Sequence, residues 1–166
     1  MPSSKLSALL FNTWDDADRV FAGLSQADAA KRHDGGSSFA WTLAHITNGM
    51  DISLNVRAQK KQPHALLGQE RFRFGGTGEA EDWDGIRTGA AGVRKAVRAY
   101  LDGMSNAEME KAMVPPASPD RPAASVRYLV YRAVCHHYFH IGEVAAKRDR
   151  LGHKVGDYPG PLSDAM

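Results

Sequence analysis

The sequence predicts an all-α fold, with four amphipathic helices forming an up-down-up-down or crossover bundle. Three observations carry this. Apolar residues recur at three- and four-residue spacing through four long segments. No segment has a convincing strand pattern. Stretches rich in glycine or proline separate the periodic segments. At 166 residues the chain suits one domain, residues 1–166, large enough for a full hydrophobic core.

The first helix is expected from about Ser7 to Leu24. Leu6, Leu9, Leu10, Thr13, Ala17, Val20, Phe21 and Leu24 share a face, and Asp15, Asp16, Asp18 and Arg19 fall largely off it. Lys31 to Ser38 reads as a loop ending in a serine N-cap, with His33 exposed in it. A second helix follows from about Ser38 to Gln59, with Trp41, His45, Asn48 or Gly49, Ile52 and Val56 along one side.

Residues 62–80 lose the period and end in Gly75-Gly76-Thr77-Gly78. A connection this long is a lid, a partner-binding segment or a linker; Phe72 and Phe74 either cover a pocket or pin the loop down. The third helix, about Asp82 to Gly103, carries Trp83, Ile86, Ala90, Val93, Val97 and Leu101 inward, with Arg87, Arg94, Lys95 and Arg98 as a solvated face. Asn106 to Met113 adds a short helical turn. Val114 to Pro122 cannot continue it, because proline lacks the amide donor and restricts its predecessor. The fourth helix spans about Ala123 to Arg150, Gly152 stops it, and the tail to Leu162 is irregular.

Composition narrows the function classes. The residues are 43% hydrophobic and 24% charged, as in ordinary soluble domains. A formal net charge of +2, with no basic block, argues against a nucleic-acid partner. Met1 to Lys5 lacks a signal-peptide core, and no stretch is long and apolar enough to cross a bilayer. The one cysteine, Cys135, excludes an internal disulfide and cysteine-based zinc or iron–sulfur sites. These features fit a cytoplasmic protein with no membrane partner.

The fourth helix contains the chemistry. Val134 to Val144 holds three of the chain's seven histidines within five residues. His136 and His140, four apart, project from one helix face and interrupt an apolar stripe of Val126, Leu129, Ala133, Val144 and Leu151. A buried imidazole left without a partner costs roughly 1 to 3 kcal/mol, and a shared metal ion would satisfy the acceptors together. The competing reading is one hydrogen-bonded core histidine and two exposed ones. His45, mid-stripe on the second helix, is the natural third imidazole, although alone it would read as a core residue. Relative to His140, His136 lies about 40° to one side and His137 about 60° to the other, so spacing prefers His136 only weakly.

No Glu-x-x-His or His-Glu-x-x-His motif occurs, which removes the carboxylate-bridged di-iron and zinc-protease readings. A set of His45, His136 and His140 leaves at least one coordination position open, the catalytic arrangement. Glu143, one turn beyond His140, is the candidate catalytic carboxylate, either accepting a proton or orienting a ligand; the alternative is a solvated helix-end residue. Asn48 is a weaker orienting candidate. Cys135 points off the histidine stripe and is expected to pack. Because the fourth helix is apolar on both sides, Tyr131 and Tyr138 are expected against a second copy of the chain, giving a homodimer.

Trp41-Thr42-Leu43-Ala44-His45-Ile46, followed by His136-His137-Tyr138-Phe139-His140-Ile141-Gly142-Glu143, Arg148-Asp149-Arg150-Leu151-Gly152 and the Asp157-Tyr158-Pro159-Gly160 tail, resembles the DinB-like metal-binding superfamily. This is the damage-inducible helical family, not the DNA polymerase of that name. The resemblance covers most of the chain. It implies an antiparallel four-helix bundle, often dimeric, holding one divalent ion such as nickel, zinc or iron through three histidines. Position by position these are His45, His136 and His140; the x-Gly-Glu that follows His140 makes His136 its partner and leaves His137 a neighbour. Phe139 departs from the pattern, since relatives often carry another histidine there. Members similar to this chain include S-transferases and isomerases that use a low-molecular-weight thiol (bacillithiol, mycothiol or glutathione) on a small-molecule substrate. The first expectation is therefore a metal-dependent enzyme of that type; a metal-dependent hydrolase and a non-catalytic metal or small-ligand binding protein are the alternatives.

Overall fold

A computed structural model describes residues 4–33 and 35–162; Met1, Pro2 and Ser3 of the N-terminal reading, and Asp34 of the first loop, lie outside the described residues. The chain is mainly helical: α1 (Lys5–Phe21), α2 (Gln26–Ala30), α3 (Phe39–Met50), α4 (Trp83–Leu101), α5 (Asn106–Lys111) and α6 (Val126–Arg150). Side chains start each helix. Ser4, Ser25, Ser38, Asp82, Ser105 and Ser125 accept hydrogen bonds from first-turn amides, each cap contributing about 1 kcal/mol. At α5 the Glu108 carboxylate also accepts from the Ser105 amide, closing a capping box.

The boundaries differ from expectation where side-chain bonds override the period. α1 stops at Phe21, and Gly23, at φ +73°, turns the chain toward α2, which the sequence did not predict. The second expected helix is α-helical only to Met50. It continues as a π-helical stretch, Asp51–Arg57, in which Asn55 donates to Asp51 and Gln59 donates to the Leu54 carbonyl and the Asn55 side chain. Two short antiparallel strands, β1 (Met113–Val114) and β2 (Ala124–Ser125), close off the proline-rich loop between them.

One apolar cluster runs from Leu6 to Val144 and includes Phe39, Leu54, Phe72, Ile86, Leu101 and Ile141. Cross-helix contacts fix the senses of the long helices. Asp16 meets Tyr138, and Val20 and Ala22 meet Arg148, so α1 and α6 advance together. Phe11 lies by Arg98, Asp18 by Arg94 and Phe21 by Trp83, so α1 and α4 run oppositely. His45 meets His140 while Gly49 faces the His136 ring, so α3 and α6 also run oppositely.

Some expected surfaces change place. Arg94 is not a solvated residue: its side chain is 12% exposed and pairs with Asp18 at 2.6 Å. Cys135 does not pack but lies exposed on α6, with Tyr128, Tyr131 and Phe139 also exposed along that helix. Tyr138 does not point out toward a second copy; its hydroxyl donates to Asp16 inside the chain. His33 is half-buried against Phe39. Among the described residues no helix is long and apolar enough to cross a membrane.

Candidate metal centre

The face of α3 that carries Trp41, His45 and Asn48 clasps the backbone of the long loop. Trp41 Nε1 donates to the Arg71 carbonyl at 2.7 Å, His45 Nδ1 to the Phe72 carbonyl at 2.7 Å, and Asn48 Nδ2 to the Leu67 carbonyl at 2.6 Å. Asn48 is therefore a loop anchor and not a partner of His45. Phe72 is fully buried and pins the loop, whereas Phe74 is exposed and covers nothing. Because Phe72 is held in the core, its carbonyl fixes which nitrogen of His45 carries hydrogen. The Trp41 ring stacks on His45 at 4.7 Å with 8° between planes, fixing its tilt.

On α6, His140 Nδ1 donates to Glu143 at 2.7 Å, and Glu143 also accepts from Lys147. The Lys147 ammonium reaches further, to the Ser37 carbonyl before α3. The hydrogen bond from His140, followed by Lys147, holds the Glu143 carboxyl well down, at about 2. At neutral pH it is therefore a carboxylate that accepts from both His140 and Lys147.

With both Nδ1 atoms committed, the Nε2 lone pairs of His45 and His140 face the His136 ring. His136 Nε2 lies 3.2 Å from His45 Nε2 and 3.2 Å from His140 Nε2. The three rings stand edge to face, at 78° to 79°, with centroids 4.8 to 5.1 Å apart. One potential ligand atom from each of the three residues lies within 4.8 Å of the others. At most one hydrogen, on His136 Nε2, is shared among the three nitrogens: with it two acceptors compete for one donor, and without it three acceptors meet with none. Protonation offers no relief: burial, then the neighbouring His140 and His45, pushes His136 down to about 4, and burial is the main cause lowering His45.

The donor set fits a metal ion. Bonds of about 2.0 to 2.1 Å at angles of about 90° to 109° place ligand nitrogens about 2.8 to 3.4 Å apart, and the two 3.2 Å separations through His136 fall within that range. His137 belongs elsewhere. It is 1% exposed, its Nδ1 donates back to the Ala133 carbonyl at 2.7 Å, and burial pushes it down to about 3. Lys147 was missed in the sequence, although a lysine four residues after a glutamate on a helix is a readable pair. The Phe72 carbonyl could not have been found, since any residue supplies one.

A mostly helical chain with three convergent, backbone- and carboxylate-oriented imidazoles defines a class of helical proteins equipped to hold one metal ion. The model of the DinB superfamily matches residues 9–144, and the chain belongs to that family. Comparison with curated proteins and comparison with solved structures each gave no significant match.

Proposed function

We propose that the protein binds one divalent ion, nickel, zinc or iron, through Nε2 of His45, His136 and His140, and catalyses thiol-dependent transfer or isomerisation of a small electrophile. The single observation behind this reading is that three ring nitrogens meet with at most one hydrogen among them. When bound, the ion supplies Lewis acidity to a coordinated thiol or water. The chain's own residues position. Phe72 and Trp41 hold His45, Glu143 holds His140, and Lys147 ties Glu143 to the start of α3. Of the two roles open to Glu143, the orienting one fits a carboxylate held near 2, because proton acceptors working at neutral pH need values close to 7.

The arrangement of contacts supports a four-helix bundle of α1, α3, α4 and α6 in which α1 and α6 run together, the long connection of residues 62–80 serving as a crossover. A homodimer is part of the proposal: the exposed Tyr128, Tyr131 and Phe139 on α6 are the residues offered to a second copy. An exposed free Cys135 suits a reducing, cytoplasmic setting.

Elemental analysis of untagged protein, followed by assay of the metal-loaded form with low-molecular-weight thiols and an electrophilic acceptor, tests the proposal. Stoichiometric metal and thiol-dependent turnover, absent in His45→Ala, are expected. Turnover that persists without thiol identifies a hydrolase instead. Occupied metal with no turnover identifies a binding protein. A sedimentation experiment giving a monomer removes the dimer.

A further inference from the structure

Beside the histidines the molecule gathers positive charge that, among the described residues, no ion pair neutralises. Arg132 sits four residues, about one helical turn, before His136 on α6, about 6 Å along the axis and on the same face. Arg57 ends the π-helical stretch that continues α3 and packs on α6. Its Nη2 donates to the Pro115 carbonyl, which fixes it against the proline-rich loop, while its Nε is buried without a hydrogen-bond partner. Arg121 belongs to that same loop, where its amide closes a turn on Ser118.

Arg57 is the link between the other two: the stretch it ends packs on α6, which carries Arg132, and its side chain is bonded to the loop that carries Arg121. Burial, then the positive charges of Arg132 and Arg121, lowers Arg57 from its ordinary value, and Arg132 also contributes to the lowering at His136. Arg19, Arg32, Arg71, Arg73, Arg94 and Arg127 each pair with a carboxylate. Among the described residues no carboxylate pairs with Arg57, Arg121 or Arg132, although Asp120 is next to one of them in sequence. Like charges so placed are unfavourable without a counter-ion, and guanidinium forks match the planar oxygens of carboxylates and phosphates.

We propose that Arg57, Arg121 and Arg132 form an anion subsite next to the histidine cluster, taking a carboxylate or phosphate carried by the small-molecule ligand. The inference deepens the metal-site reading and rests on it for the ligand's other attachment point. A ligand that spans both places its anionic group roughly one to two helical turns, about 5 to 11 Å, from the histidines.

The test titrates inorganic phosphate, and separately acetate, into metal-free protein while NMR follows the arginine Nε–H signals. Signals of Arg57 and Arg132 should move and saturate. Arg132→Gln and Arg57→Gln should each weaken binding at least about tenfold, the loss of one charged hydrogen bond. Arg132 is exposed, so its variant keeps the fold, to be checked by circular dichroism. Stronger response to phosphate than to acetate identifies the phosphate-bearing class, and the reverse identifies the carboxylate class. Unmoved arginine signals, or unchanged binding in both variants, overturns the subsite. Metal binding is read separately, by cobalt absorption of wild type and His45→Ala. Phosphate binding without cobalt binding removes the metal reading and leaves the subsite standing.

Discussion

On the side of α6 turned toward α1, polar groups bond within the chain, although His137 Nε2 is buried there without a hydrogen-bond partner. Tyr138 donates to Asp16 at 3.2 Å, Arg148 donates to the Val20 and Ala22 carbonyls at 2.7 Å each, and His137 donates to Ala133. On the side turned toward α3, His136 and His140 meet His45 with lone pairs pointing inward. The first side holds the helices together whatever the solution contains. On the proposed metal reading, the stability of the second would be set by what the solution supplies, because an unmet acceptor is costly and a coordinating ion would satisfy the cluster at once.

The sharpest way to break this contrast is to vary the metal. An ion at about 1,000 times its Kd adds about 4 kcal/mol, or roughly 8 to 16 °C in Tm for a chain of this size. Scanning calorimetry should find that rise in wild type and none in His45→Ala. Equal rises in both would place the ion elsewhere.

His137→Ala tests the opposite side. Removing a fully buried ring should cost about 2 to 4 kcal/mol of stability, as large-to-small core changes do, with metal stoichiometry unchanged in urea-unfolding and metal-analysis experiments. Loss of metal in this variant, with the fold intact, would mean that His137 is a ligand and the two sides are not separate.

Glu143→Gln should leave stability in the absence of metal nearly unchanged but weaken metal affinity about 10- to 100-fold, the usual loss when an orienting partner of a ligating histidine is removed. Competition with a chelator measures it. An unchanged affinity would reduce the Glu143 contact to a surface ion pair.

The smallest effect belongs to Tyr138→Phe, about 1 kcal/mol at neutral pH for one hydrogen bond. Burial, then the nearby Asp16 carboxylate, raises the Tyr138 hydroxyl from 10.0 to about 12. A value raised in the fold favours the neutral phenol, so its contribution is complete below pH 10 and lost as pH climbs from 10 through 12. Wild type should therefore lose stability across that window relative to the variant, as denaturant midpoints at each pH will read.

Much of this was legible beforehand because it depends on side-chain periodicity. The spacing of His136 and His140, the position of His45 mid-stripe and the serine that caps α3 all follow from a helical repeat. Other features depend on what the repeat cannot encode. The π-helical turn after Met50 rests on bonds among Asp51, Leu54, Asn55 and Gln59, a change of hydrogen-bond register that apolar spacing does not record. Trp41, His45 and Asn48 look like a core stripe, yet they hold backbone carbonyls of a loop some 20 to 30 residues further on. Cys135 and Arg94 were misplaced for one reason: residue type reports a general preference for burial, while exposure depends on which helices stand alongside. Cys135 is left exposed on α6, and Arg94 has Asp18 across from it.

The residues that meet at the centre are 91 positions apart along the chain. During synthesis at about 5 to 20 residues per second, His45 leaves the ribosome roughly 5 to 18 seconds before His136. A nascent chain therefore displays His45 without its two partners for most of its translation and gains the trio only once α6 has emerged and docked. With the proposed ion, loading would be a late, post-assembly event, and metal content would report that the chain has finished folding.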